Sequence, residues 1–364
     1  MPHNMKVLFI APLPPPVTGH SLAAQALFNE LSLANETYLV DLSKDSFMGG
    51  ADTFKRYLEI YGVIRKVFKN RKADALYFTI SESVAGNIKD LIIYLICFKQ
   101  LPKMFIHLHG GSIKRLLFDK YKILYIINKF FISRLAGAIV LGPSHVEIFK
   151  GMLPVEKVHV VPNFAYENLF LGQKKIIAKF ENLVPLKLLF LSNLISGKGY
   201  IELLDAYLSL EKDLKERISL NFAGAFESEN QKESFLMKIK NLKMVNYHGI
   251  VGGDEKTKLL SDSHVFCLPT CLFEGQPISI LEAYASGCVV LSTTSGGIVD
   301  IFQDRINGYE VPPASVSGIK SAIERIVKDS HKLQIIASNN RKTAEELYRI
   351  SIYNNSLKQI MQLS

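Results

Sequence analysis

Phe273-Glu274-Gly275-Gln276-Pro277-Ile278-Ser279-Ile280-Leu281-Glu282-Ala283 is the stretch from which the rest of this chain is best read. Gly275 relaxes the backbone and Pro277 suits a first helical position, so together they mark a turn that opens a helix. Ile278, Ile280 and Leu281 give that helix an apolar face. Two carboxylates eight positions apart flank the turn, Glu274 at the helix mouth and Glu282 inside its second turn. Backbone N–H groups at a helix mouth attract an anion or sugar hydroxyls. A carboxylate on each side can hold a neutral polyol next to a phosphate, which is the chemistry of a sugar nucleotide.

Outward from this stretch the chain alternates apolar strand-like runs with helical patterns, twice over. In the first half the strand candidates are Lys6–Ala11, Thr37–Asp41, Ala75–Thr79, Lys103–Leu108, Gly137–Leu141 and Val158–Val161. In the second they are Leu186–Leu191, Ile218–Phe222, Val245–His248, His264–Leu268 and Val289–Ser292. Strands separated by helices predict parallel sheets built from βαβ units. The fold expected is α/β with two doubly wound, Rossmann-like domains facing a central cleft. Strand periodicity lapses between Pro162 and Pro185. The expected organisation is therefore 1–165, 166–340, and a helical tail at 341–364 that packs back on the first domain. Ligands of such sheets bind at the carboxyl ends of the strands, so the loops that follow strands carry the interest.

A chain of 364 residues with a 48% hydrophobic fraction has enough apolar surface for two packed cores. Four cysteines (Cys97, Cys267, Cys271, Cys288) are too few for a disulfide framework, and no second pair or His cluster completes a zinc site around Cys267 and Cys271. They read as structural thiols in a reducing compartment. The start, Met1-Pro2-His3-Asn4-Met5-Lys6, leads into a strand without a long apolar segment and cleavage site, which argues against secretion. Leu91 to Phe98 is far short of the ~20 residues a spanning helix needs. Between Lys55 and Arg134 there are 16 Lys/Arg against 5 Asp/Glu, whereas the net charge of the whole chain is +9. These bases are interleaved with Phe, Tyr, Ile and Leu, as in Tyr121-Lys122-Ile123-Leu124-Tyr125-Ile126. Such a surface suits an anionic membrane face or an anionic acceptor. A solvated basic face and a nucleic-acid partner are the alternatives, but no base-reading or stacking motif supports the latter.

Four strand-end loops carry candidate residues. Pro12 to Ser21 places Gly19 at a helix start, where backbone can approach a phosphate; it is not a dinucleotide fingerprint. His107-Leu108-His109-Gly110-Gly111-Ser112 puts two imidazoles on one face by strand alternation. Leu191-Ser192-Asn193-Leu194-Ile195-Ser196-Gly197-Lys198-Gly199 sets a Lys between two glycines before a helix, placed to meet a phosphate as a point charge. It is not a Walker loop, since no Ser or Thr follows the Lys. Gly249-Ile250-Val251 can face the base of a nucleotide through backbone groups.

The order Pro-rich Gly loop, strand-end His, Lys-Gly loop, then F-E-G-x-P-x-S-x-L-E-A-x-A-x-G resembles the retaining GT-B glycosyltransferases of family 4. The resemblance covers nearly the whole chain, and Glu274 and Glu282 match the E-x7-E pair, its most specific element. It implies that the second domain binds a UDP or GDP sugar and the first binds the acceptor. By resemblance His109, Glu274 and Lys198 are catalytic. Gly19, Asn193, Gly275, Gln276, Pro277, Ile278, Glu282 and Ile250 bind substrate, with Glu282 on the ribose. No metal or other cofactor is expected, and no D-x-D motif appears. The implied activity moves a hexose or N-acetylhexosamine to a growing, lipid-linked bacterial surface glycan such as lipopolysaccharide, capsule or exopolysaccharide. The implied location is cytoplasmic and peripheral, at the inner face of the membrane. One departure is Asn193, where the family carries an Arg that grips the diphosphate. It leaves open a catalytically silent sugar-nucleotide-binding partner subunit; a GT-B-like sugar-nucleotide epimerase is the other alternative.

Overall fold

The computed structural model describes residues 5–43 and 53–363. The reading of Met1 to Asn4 as a short lead-in lies outside the described residues, as do the side chains of Lys55, Arg56 and Glu59. The strands β1 (Lys6–Ala11), β2 (Glu36–Asp41), β3 (Ala75–Thr79), β4 (Met104–Leu108), β5 (Gly137–Val140) and β6 (Val158–Val160) form one parallel sheet in the order β2-β1-β3-β4-β5-β6. A second sheet contains β7 (Leu186–Leu191), β8 (Ile218–Ala223), β9 (Val245–Tyr247), β10 (Val265–Leu268), β11 (Val289–Ser292) and β12 (Gly308–Glu310), in the order β12-β11-β10-β7-β8-β9. The expected α/β class, with two Rossmann-like parallel sheets, is what the chain adopts.

The cause lies in the strand sequences. Val7 to Ala11 and Val265 to Leu268 are fully buried, as expected for strands covered by helices on both faces. Register brings Phe9 opposite Tyr77, and their rings stack at 4.6 Å between centroids. The helix Ile278–Ala285 is buried along almost its whole length, so its continuous apolar run reflects packing on both sides. It starts one residue later than expected, with Pro277 as its N-cap.

The chain divides into two compact units. The first comprises Met1–Asn163, Phe273–Gln276 and Ser351–Ser364; the second comprises Phe164–Leu272 and Pro277–Ile350. The four residues Phe273–Gln276 thus leave the second unit and pack within the first. Beyond residue 340 the chain is still within the helix Leu333–Leu347, which packs on helices Ile278–Ala285 and Gln173–Glu181 of the second unit. The helix Ile350–Met361 then contributes to the first unit, where Tyr353 donates to the Ala23 carbonyl and Lys358 pairs with Glu30 at 2.8 Å.

Candidate active site

In the second unit, β7 and β10 are neighbours from which the sheet runs outward in opposite directions, and the two loops that leave their carboxyl ends meet. Gly197 and Gly199 both adopt φ 87, a left-handed backbone that L side chains rarely take. A Cβ at Gly199 would lie 2.2 Å from the Pro269 carbonyl, so only glycine allows the two loops to close. Cys271 N donates to the Gly197 carbonyl at 2.8 Å, and Thr270 Oγ1 donates to the same oxygen at 3.2 Å. Lys198, half-buried, is thereby held between two fixed glycines. Asn193 lies on the same loop, and Leu194 anchors it by donating from its amide to the Ala225 carbonyl. No side chain caps the helix that starts after Pro277.

Glu282 is 1% exposed and pairs with Lys256 at 2.6 Å. Burial raises its carboxyl above the usual carboxylate range, and the Lys256 ammonium pulls it back down. Lys256 comes from the helix Gly253–Asp262, which follows β9 and the loop carrying Ile250. Ile250 is 76% exposed. Sequence reasoning missed Lys256. In Gly253-Asp254-Glu255-Lys256-Thr257-Lys258 it looks like one charge on a solvated helix face.

In the first unit, Gly19 opens the helix Gly19–Leu31, and Thr18 and Ser21 form a capping box around that start. The next residue, His20, stacks on His109 at 4.4 Å between centroids, and His109 in turn lies 3.9 Å from His107. The Tyr77 hydroxyl meets His107 Nδ1 at 2.7 Å and His109 Nε2 at 3.5 Å. His107 and His109 thus share a face, as alternation predicts, with their rings in contact and tilted by 32°. Among the described residues no group of three or more His, Cys, Asp or Glu is placed to hold a metal ion. Burial, reinforced by Lys89, lowers His20 to about 4. Burial, reinforced by His20, lowers His107 to about 3, and burial with both other imidazoles holds His109 well below its usual value. His20 Nε2, His107 Nε2 and His109 Nδ1 are buried without a hydrogen-bond partner in the protein. His20 and Tyr77 were not singled out from sequence, because nothing local distinguishes them.

The loop after His109 is fixed by Glu82, whose carboxylate accepts from the amides of Ser112 and Ile113. Against this loop packs the segment carrying Glu274. A Cβ at Gly275 would lie 2.1 Å from the His109 carbonyl, so Gly275 is the residue that lets the backbone beside Glu274 lie on the His109 backbone. Gln276, expected among the substrate-binding residues, has its side chain occupied within the fold. Oε1 accepts from Asn163 N at 2.6 Å, and Nε2 donates to the Leu141 carbonyl at 3.1 Å. Asn163 Nδ2 also donates to the Gln276 carbonyl at 2.8 Å. The residue is a clamp that holds Phe273–Gln276 in the first unit. Of the expected residues, Gly19, His109, Glu274, Gly275 and Gln276 therefore lie in the first unit. Asn193, Lys198, Ile250, Pro277, Ile278 and Glu282 lie in the second.

The imidazole stack makes stability depend on pH. In the unfolded chain a His titrates near ~6.5, whereas in the fold His20 and His107 stay neutral down to about 4 and about 3. Below ~6.5 the unfolded state binds protons that the folded state refuses, so stability is present above that pH and is lost as pH falls. Each imidazole contributes up to about 1.4 kcal/mol per pH unit in that window. The buried carboxyls of Glu82, Asp90 and Glu282 are raised and act in the opposite sense. The contribution is therefore read as a difference: urea unfolding at pH 7 and pH 5 should show a shallower acid loss in His107→Asn than in the wild type. Equal slopes would refute the assignment.

Residues 173–343 match the family described as glycosyl transferases group 1. The uncharacterized glycosyltransferase MJ1069 of Methanocaldococcus jannaschii is 23% identical over 240 residues, 66% of this chain and 58% of that protein. CapM of Staphylococcus aureus, a capsular polysaccharide biosynthesis glycosyltransferase, is 22% identical over 262 residues, covering 66% of this chain and 67% of CapM. The chain spans 40% and 58% of the lengths of two M. jannaschii relatives, MJ1607 and MJ1069. The solved structure of Anabaena Alr3699/HepE in complex with UDP-glucose is similar with a TM-score of 0.73 at 17% identity, covering 98% of this chain and 99% of that one. Its likeness is one of fold, the GT-B architecture that the sequence resemblance implied.

Proposed function

We propose that this chain is a retaining, family 4 type glycosyltransferase that moves a hexose or N-acetylhexosamine from a nucleotide diphosphate sugar to a growing, lipid-linked surface glycan. The observation that carries the reading is the Lys198 loop. Two left-handed glycines and two hydrogen bonds from the β10 loop hold a cation at the sheet's switch point, where a diphosphate is expected in this fold. In this reading Lys198 and the amides around Gly275 to Ile278 bind the diphosphate and sugar hydroxyls, and Glu282 accepts from the ribose. Glu274 contacts the transferred sugar, and His109 lies by the sugar and the acceptor. The bond between the anomeric carbon and the phosphate oxygen breaks, and its electron pair leaves with the nucleotide diphosphate. The acceptor hydroxyl oxygen bonds to the same face of that carbon, and its proton passes to the departing phosphate oxygen. Preorganised positive charge where the diphosphate develops lowers the barrier, and the reading assigns no metal to that task. The UDP-glucose held by HepE favours a UDP sugar as donor.

Asn193 favours a second reading, a silent partner subunit that binds a sugar nucleotide without turning it over. One assay separates the two. The chain is incubated with radiolabelled UDP, GDP and ADP sugars and a bacterial lipid extract. Label moving into the lipid fraction is the expected result. Binding alone supports the silent subunit, and release of free or epimerised sugar without transfer supports the epimerase; either overturns the proposal.

A further inference from the structure

Tyr77, on β3, is the hub of a buried polar cluster in the first unit that the proposed transfer chemistry leaves unused. Its hydroxyl has three neighbours. His107 Nδ1 lies at 2.7 Å and His109 Nε2 at 3.5 Å. The third is the hydroxyl of Tyr353, a buried residue of the helix Ile350–Met361, with which Tyr77 shares a hydrogen bond. Tyr353 in turn meets the Ala23 carbonyl at 3.4 Å; a carbonyl can only accept, so Tyr353 donates there.

The protons of this cluster can be counted. Burial keeps both imidazoles neutral at pH 7, so each ring carries one proton, as does each hydroxyl. His107 Nε2 and His109 Nδ1 have no hydrogen-bond partner in the protein. A proton on either would make a buried N–H without an acceptor, a costly state. One arrangement avoids this at both rings. His107 Nδ1–H and His109 Nε2–H donate to the two lone pairs of the Tyr77 oxygen, Tyr77 donates to Tyr353, and Tyr353 donates to Ala23. If Tyr77 donated to an imidazole instead, that ring's own proton would move to its unpartnered nitrogen. If Tyr353 turned its proton to Tyr77, Tyr77 would have to donate to an imidazole, with the same result.

We infer that Tyr77 is a positioning residue that fixes His109 as the Nε2–H tautomer, and that Tyr353 sets the direction of the Tyr77 proton. The His109 ring is already in contact with His20 and His107, at 4.4 and 3.9 Å between centroids, and the tether at Nε2 fixes which edge of it carries the proton. In that form Nδ1 can accept a hydrogen bond but cannot donate one. His109 then serves a sugar or acceptor hydroxyl as an acceptor at that nitrogen, a consequence that rests on the transferase reading.

The test is long-range proton–nitrogen correlation NMR on protein with isotope-labelled histidine, which tells a bare imidazole nitrogen from a protonated one. His107→Asn and His109→Gln assign the two rings. In the wild type His107 is expected to be bare at Nε2 and His109 at Nδ1. In Tyr353→Phe the Tyr77 proton loses its acceptor and turns to His107 Nδ1, the nearer nitrogen, so His107 should switch tautomer while His109 keeps its form. In Tyr77→Phe both rings lose their tether, and His109 should show a mixture of forms. Each substitution removes one buried oxygen, and far-UV circular dichroism checks that each variant is folded. In the transfer reaction Tyr77→Phe should lower kcat by about tenfold or more, with a smaller change in KM, because His109 is no longer held in one form. A wild-type His109 protonated at Nδ1, a His107 unmoved by Tyr353→Phe, or a His109 unmoved by Tyr77→Phe overturns the inference. So does a normal kcat in a Tyr77→Phe variant whose His109 has lost its single form. The spectra need neither donor nor acceptor, so a wild type without transfer activity would refute the transferase reading and leave this test to decide by itself.

Discussion

Lys198→Ala is expected to lower kcat/KM for sugar transfer by about two to three orders of magnitude, the size of effect seen when one preorganised group facing developing charge is removed. The loss should fall mainly on kcat. Negative charge on the nucleotide diphosphate grows as the glycosyl bond breaks, so the ammonium matters more in the transition state than in the ground state. The position has little redundancy within its loop. Between Leu191 and Gly199 it is the only basic residue in the sequence, because Asn193 stands where the resembled family has an Arg. Lys198→Arg should keep a substantial part of the rate, since charge is retained while the point geometry is lost. The backbone fold of the loop is set by Gly197, Gly199 and the bonds to Gly197's carbonyl, none of which involves the lysine side chain. The Ala variant should therefore keep the backbone of this loop, and far-UV circular dichroism like that of the wild type checks that it is folded. Near-normal turnover would remove Lys198 from the proposed mechanism and the transferase reading with it.

The parts of this molecule that could be read in the sequence are those whose signal is local. β1, β3, β7 and β11 have the bounds expected from their apolar runs, since a strand buried on both faces leaves an uninterrupted stretch such as Val7-Leu8-Phe9-Ile10. β12 was missed because Gly308-Tyr309-Glu310 is too short and mixed to carry a period. The loops were legible for a similar reason, since Gly197-Lys198-Gly199 and Gly275 announce backbone that a side chain would block.

What could not be read is pairing across the sequence. Tyr77 meets His107 thirty residues on, Glu82 holds the Ser112 and Ile113 amides, and Asn163 meets Gln276 over a separation of 113. Each of these side chains is of a kind found on any surface. Gln276 shows the consequence: it lies inside the most specific motif, yet nothing local announces that its side-chain amide ties the Glu274 segment to Asn163 and Leu141. The basic stretch shows the complementary limit. Composition revealed an amphipathic surface, but only the fold, which buries Asn128, Phe131 and Ile132, tells which side of the helix Lys122–Ile132 faces in.

Lys256→Met should destabilise the second unit by about 3–5 kcal/mol, the cost of leaving one member of a buried ion pair without its partner. Glu282 lies within the helix Ile278–Ala285, whose side chains pack among the β10 and β11 strands, so water cannot easily replace the lost ammonium. Burial already raises the Glu282 carboxyl, and Lys256 is what offsets it; removing the lysine raises it further. The sign of the pH response follows. A carboxyl whose pKa is higher in the fold than in the unfolded chain binds its proton more tightly when folded. Stability then rises as pH falls through the folded value towards the unfolded one, near ~4.5, and is lowest above both. Lys256→Met should therefore be most defective at pH 8 and recover towards pH 5, opposite to the trend of the imidazole stack. A second substitution checks the cause: in Glu282→Gln/Lys256→Met the charge is gone, and most of the loss at pH 8 should be regained. Urea titrations of the wild type, both single variants and the double variant measure the coupling directly. A Lys256→Met defect that is independent of pH and unrelieved by Glu282→Gln would mean that the lysine acts through its aliphatic stem, and Glu282 would then be free of the electrostatic dependence assigned to it.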